Sequence, residues 1–103
     1  MEPRIPIPHD EIAVFCQKWK ITEFSLFGSV LTDEFRSDSD VDVMVTFERA
    51  TLWTLKDLDD MEAELSRIIG RRVDLSTRPS IEHMWNRTRR NSILRGLQVF
   101  YAA

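Results

Sequence analysis

The stretch Ser39-Asp40-Val41-Asp42-Val43-Met44-Val45-Thr46-Phe47 alternates as a strand does. Val41, Val43, Val45 and Phe47 point one way, and Asp40, Asp42, Met44 and Thr46 point the other. Two acids one residue apart in a strand leave from the same face, with Cα atoms roughly 6.6–7 Å apart. The opposite face is apolar and so committed to a core. Holding two carboxylates together costs like-charge repulsion unless a cation sits between them. Magnesium takes hard oxygen ligands, commonly one or two carboxylates plus substrate phosphates. Taken alone, an Asp-x-Asp pair is a weak signal, and solvent-facing acids on a half-exposed strand are the plainer alternative.

The flanking segments strengthen the metal reading. Downstream, Thr54 and Asp57 fit a capping box. The helix they open runs to about Ile69, with Leu55, Leu58, Met61, Leu65, Ile68 and Ile69 along one stripe and Gly70 placed to end it. A short strand follows at 72–76, in which Val73 and Leu75 face opposite to Asp74. If that strand lies beside 41–47, three carboxylates converge. Upstream, Ile21–Phe27 reads as a strand ending in Gly28-Ser29, followed by a short helix at 30–35. Glycine permits a tight turn and close approach of the backbone to a ligand. Ser29 either caps the helix or gives its hydroxyl to a phosphate. The G-x-x-x-x-G-K-[ST] pattern of a P-loop is absent.

The rest of the chain completes a small α/β (α+β) architecture, a mixed sheet of about three strands flanked by helices. Pro3, Pro6 and Pro8 keep the start extended. A helix fits 10–19, where Ile12, Phe15, Cys16 and Trp19 share a face. A last helix is expected over 91–101, placing Ile93, Leu97 and Phe100 along one side, although Gly96 weakens it by roughly 1 kcal/mol. At 103 residues the chain is read as one domain, 1–103, with a thin core. The lone Cys16 excludes an internal disulfide and a multi-cysteine zinc site, and reads as a buried filler. His9 and His83 lack ligand-spaced companions. The N-terminal MEPRIPIPHDE does not resemble a signal peptide and no run is long enough for a membrane span, so a cytoplasmic location is expected.

The net charge of −3 is unevenly spread. Acids crowd the segment from Asp33 to Asp42, where Arg36 is the only base. From His83 to Ala103 there is no acid, while Arg87, Arg89, Arg90 and Arg95 fall in that stretch. One region attracts cations and the other can meet phosphate, an acidic partner surface or RNA, unless it is simply a solvated face. Trp19 and Trp53 read as core or boundary aromatics. Trp85, Phe100 and Tyr101 are either core or a partner-binding patch.

Phe27-Gly28-Ser29, then Ser39-Asp40-Val41-Asp42 and a hydrophobic strand, resembles the signature of the DNA polymerase beta nucleotidyltransferase superfamily. The nearest likeness is its minimal nucleotidyltransferase branch, the antitoxin-like proteins paired with HEPN-domain toxins. It extends over nearly the whole chain, through Arg72-Val73-Asp74-Leu75 to Val99-Phe100-Tyr101. The resemblance implies a polymerase-beta-like fold, with Gly28 and Ser29 on the triphosphate and Asp40 and Asp42 on two Mg2+ ions (Mn2+ as a substitute). Asp74 would be the third metal-binding acid and would aid deprotonation of the attacking hydroxyl. It further implies transfer of AMP from ATP to a tyrosine of an adjacently encoded HEPN toxin, as in a type VII-like toxin–antitoxin pair, within a homodimer or hetero-oligomer.

In one respect the sequence departs from that pattern. Thr32-Asp33 stands where most relatives carry arginine-glycine, which leaves Arg36 as the substitute contact for nucleotide. A binding module that blocks its toxin by occlusion is therefore one alternative to turnover. Transfer to RNA or a small molecule is another.

Overall fold

The alternation of Val41–Phe47 builds the second strand of a four-stranded sheet in a computed structural model that describes residues 3–103. The strands are β1 (Ile21–Phe27), β2 (Val41–Phe47), β3 (Val73–Thr77) and β4 (Gln98–Ala102), in the order β3-β2-β1-β4. β1 is antiparallel to both β2 and β4, whereas β2 and β3 run parallel. Parallel neighbours need a crossover, which α2 (Leu55–Ile69) supplies. Its start is the expected reciprocal cap between Thr54 and Asp57, and Gly70 ends it at φ 78° in the left-handed region.

The valine side of β2 faces the main core. Val41, Val43 and Val45 are fully buried there with Phe24 and Leu26 of β1. Ile12, Phe15 and Cys16 of α1 (His9–Lys18), together with Met61 and Leu65 of α2, close over them. Burial pushes the Cys16 thiol up to about 12, as befits an inert filler. Trp19 and Trp53 meet edge to face at 5.2 Å on the margin of this core.

The acid side is partly roofed. Met44 is fully buried beneath Phe27 and Ile81, with Ile93, Leu94 and Leu97 packed around them. These residues come from α3 (Arg78–Glu82), α4 (Arg87–Arg95) and the segment after it. Met44 therefore leaves the same face as Asp42 but anchors a second, smaller core, so that face is apolar at one end and acidic at the other.

Three expectations need correction. The final helix is not at 91–101: α4 spans Arg87–Arg95, the chain turns at Gly96, and Gln98–Ala102 forms β4. The apolar residues Val99, Phe100 and Tyr101 suit a strand, and the free edge of β1 offered them a ladder that outweighed their helical spacing. Phe100 and Tyr101 pack on the main core, while Trp85 is left 92% exposed. The short helix expected at 30–35 is a single 3-10 turn, Gly28–Leu31, since burial of Val30 and Leu31 holds it against the sheet. The sheet has four strands rather than about three, and Pro79 sits in the first turn of α3, where a proline loses no hydrogen bond.

The outer edge of β3 is covered by α2. Leu75 N–H donates to Glu62 Oε2 at 2.9 Å, and Val73 N–H donates to Ser66 Oγ at 3.1 Å. Covering an edge in this way removes a template for intermolecular pairing. Glu62→Ala should therefore cost about 1–2 kcal/mol in urea unfolding, because a charge-assisted bond to the backbone is lost. A variant with an unchanged urea midpoint would show that the edge does not depend on this bond.

Candidate active site

Register sets the site. In the parallel pair Asp42 lies opposite Asp74, and in the antiparallel pair Asp42 lies opposite Phe27. Asp74, Asp42 and Phe27 thus form a row across three strands, with neighbouring strands about 4.8 Å apart. Gly28 follows Phe27 directly and has φ 78°, a conformation that side chains resist. A Cβ there would overlap the Asp42 carboxylate, so glycine is required both by the backbone and by the acid beside it.

Asp42 carries the electrostatic signature of this crowding. Its carboxyl is raised from 3.8 to about 6, first by burial, then by the negative charges of Asp74 and Asp40, with Arg89 pulling the other way. Asp40 stands just before β2, and the following Val41 N–H donates to Arg72 O at 2.9 Å. The loop before Asp40 is tied down as well, because Arg71 Nη2 donates to Arg36 O and Ser39 O at 2.8 and 2.9 Å. Among the described residues no three His, Cys, Asp or Glu side chains already close into a metal cage. What the chain offers is an all-oxygen set of register-paired carboxylates, with Asp74 exposed at its outer side. That donor chemistry fits a hard divalent ion that keeps water and takes its remaining ligands from phosphate.

An open cleft of ≈ 460 Å³ runs from this row to α4, lined by Phe27, Gly28, Asp42, Asn86, Arg89 and Ile93 among others. A more apolar groove of ≈ 330 Å³ lies between α1 and α2, lined by Val14, Phe15 and Ile68, and holds none of these acids. Ser29 borders the first cleft in sequence but does not cap the turn, whose N-cap Phe27 makes no side-chain bond. Its carbonyl instead accepts from Thr32 N–H at 2.9 Å and Thr32 Oγ1 at 3.1 Å.

Arg36 is not brought to the cleft. Its backbone closes a turn with Ser39, its N–H donating to Ser39 Oγ at 2.9 Å, and its side chain does not line the cavity. The cation across from Asp42 is Arg89, which nothing in the C-terminal sequence sets apart from Arg87, Arg90 and Arg95. The missed signal was Asn86, which caps α4 by accepting from Arg89 N–H at 3.0 Å and so starts the helix earlier than expected. The extra acid at Asp33 is also met. Arg4, from the extended start of the chain, pairs with Asp33 and donates from Nε to Thr32 O at 3.1 Å.

With this geometry in place, the comparisons with known proteins agree on one family. The family model for the nucleotidyltransferase domain matches residues 12–99. The protein adenylyltransferase MntA of Thermococcus cleftensis is 33% identical over 66 residues, covering 64% of this chain and 65% of that protein. The matched region spans slightly less than two thirds of the curated relatives. A solved chain described as a candidate minimal nucleotidyltransferase superposes with TM-score 0.65 at 29% identity, covering 87% of this chain and 86% of that one. The complex of a tri-AMPylated Shewanella oneidensis HEPN toxin with its MNT antitoxin shares the fold at TM-score 0.64 and 16% identity, covering 92% of this chain and 70% of that one.

The raised Asp42 carboxyl has a consequence for stability. Between pH 3.8 and about 6 the folded chain holds a proton that the unfolded chain has released. That contribution favours the fold at low pH and is lost as pH rises through this window. After discounting for partial exposure, the effect is on the order of 1 kcal/mol. Asp42→Asn should raise the melting temperature of the metal-free chain at pH 7.5 by about 4–8 °C and change it little at pH 4.5. Thermal unfolding with a chelator at both pH values checks this, and an equal shift at the two would contradict it.

Proposed function

This chain belongs to the nucleotidyltransferase domain family, and we propose that it moves AMP from ATP to a tyrosine hydroxyl of a HEPN-domain toxin, acting as the antitoxin of that pair. The observation that carries this reading is the pairing of Asp42 with Asp74 on parallel strands beside Gly28. Two further features support it: a cleft long enough to reach Arg89, and the adenylyltransferase and AMPylated-toxin assignments of the relatives.

In this reading Asp40, Asp42 and Asp74 would hold Mg2+, as two ions or with Mn2+ as a substitute. When bound, such ions lower the pKa of an attacking hydroxyl and shield a departing pyrophosphate. Gly28 lets the backbone approach the triphosphate, and the Ser29 hydroxyl donates to it from the turn. Arg89 meets negative charge from the α4 side of the cleft. The tyrosine oxygen forms a bond to the α-phosphorus as the bond to the β-phosphate oxygen breaks and pyrophosphate leaves. Asp74 assists removal of the hydroxyl proton. Phe27 and Ile93 wall one part of the cleft with apolar surface, which lowers the local polarity and strengthens these electrostatic contacts.

Thr32-Asp33 is the feature that favours an occluding module without turnover. The pairing of Arg4 with Asp33 answers the added charge and weakens that case.

The deciding experiment incubates the chain with α-labelled ATP, Mg2+ and the adjacently encoded protein. Label is expected on a tyrosine of that partner. Asp42→Asn and Asp74→Asn should each lower transfer at least about a hundredfold, since 1.36 kcal/mol of barrier is a tenfold change in rate. Far-UV dichroism should be unchanged in both, because neither side chain belongs to a core cluster. Tight association with no label would point to occlusion, and label on RNA or a small molecule would redirect the acceptor assignment.

A further inference from the structure

Neither strand nor turn alone holds Asp40 beside the other two acids. The segment 32–40 crosses from the Gly28–Leu31 turn to β2 without regular structure. It is fixed from outside by a residue at the other end of the crossover. Gly70 turns the chain out of α2, and the next residue, Arg71, reaches back over that segment. Its Nη2 donates to Arg36 O at 2.8 Å and to Ser39 O at 2.9 Å, while its guanidinium lies 4.6 Å from the centre of the Phe35 ring. Arg72 O then accepts the Val41 N–H at 2.9 Å, opening the parallel ladder. One guanidinium therefore grips both ends of the 36–39 turn, one residue before Asp40 and three before Asp74.

We infer that Arg71 is a positioning residue, which sets the placement of Asp40 relative to Asp42 and Asp74 and hence the affinity of the site for a divalent ion. The inference rests on the metal-binding reading above. Two carbonyls and an aromatic face suit the planar, multi-donor guanidinium. A lysine ammonium has donors enough for both carbonyls but lacks the planar face that lies over the Phe35 ring. The working property is a guanidinium whose terminal nitrogen bridges two carbonyls while its plane lies over Phe35.

The test compares wild type, Arg71→Ala and Arg71→Lys as full chains. In hydrogen exchange without metal, the amides of Ser39 and Val41 should exchange at least about tenfold faster in Arg71→Ala, while those of α1 and β1 keep wild-type protection. The Mn2+ concentration giving half-maximal thermal stabilisation should rise about tenfold. Label transfer should fall ten- to a hundredfold in kcat, with KM for ATP changed by less than about threefold, as expected for a displaced ligand rather than a lost ATP contact. Arg71→Lys should fall between wild type and alanine in all three readouts.

Uniformly faster exchange across the whole chain would reduce Arg71 to a stability residue and overturn the inference, as would wild-type exchange and wild-type Mn2+ response in Arg71→Ala. If the wild-type chain itself shows no Mn2+ response, the metal reading fails. The exchange measurement then decides separately whether Arg71 holds the loop.

Discussion

Two carboxylates in direct register on adjacent parallel strands are the constraint from which the rest of this structure follows. Asp42 and Asp74 would relax apart if their strands could slip, but slippage by one residue would turn every valine of β2 away from the main core. Burial of Val41, Val43 and Val45 therefore holds the acids together. At roughly 1.5–2 kcal/mol for each buried valine, the hydrophobic term outweighs a partly screened repulsion of about 1 kcal/mol. The core does not merely support the site. It supplies the free energy that keeps like charges side by side.

That arrangement also explains why the acid face is only half roofed. If α3 and α4 covered all of it, Asp42 would lose the solvent that hydrates its charge. If they covered none, Met44 and Phe27 would lie in water. The boundary falls between them: Ile81 seals Met44, and α4 then diverges to leave the cleft with Arg89 across from Asp42. The raised carboxyl of Asp42 is the cost of standing at that boundary, and a divalent ion is the natural relief for it.

The parts of this architecture written in local pattern were legible in the chain. The alternation in Val41–Phe47, the Thr54–Asp57 cap, Gly70 and the placement of Asp74 between Val73 and Leu75 all follow from spacings of two to four residues. β4 was not legible, because Ile93, Leu97 and Phe100 fit a helical stripe as well as Val99-Phe100-Tyr101 fits a strand. Only the vacant edge of β1, more than seventy residues earlier in the chain, decides between them. Arg89 was visible as one arginine among several, yet its selection depends on where α4 begins and hence on Asn86. Arg4 and Arg71 act on backbone carbonyls about thirty residues away, a kind of contact that leaves no periodic trace.

Those arginines also show how an acidic chain can be suited to a polyanionic ligand. A net charge of −3 would by itself repel a triphosphate, and the acids of 33–42 lie close to where one would sit. Arg4 pairs with the exposed Asp33 and so partly offsets its charge. Arg71 directs its donors at carbonyls and its plane at Phe35, so it shapes the loop more than it alters the potential. Arg89 lines the cleft and already acts on Asp42 through space. Positive charge thus borders the cleft on α4 and negative charge on β2 and β3. Under the proposed function a metal–nucleotide complex would meet both, whereas neither a free cation nor a free triphosphate would.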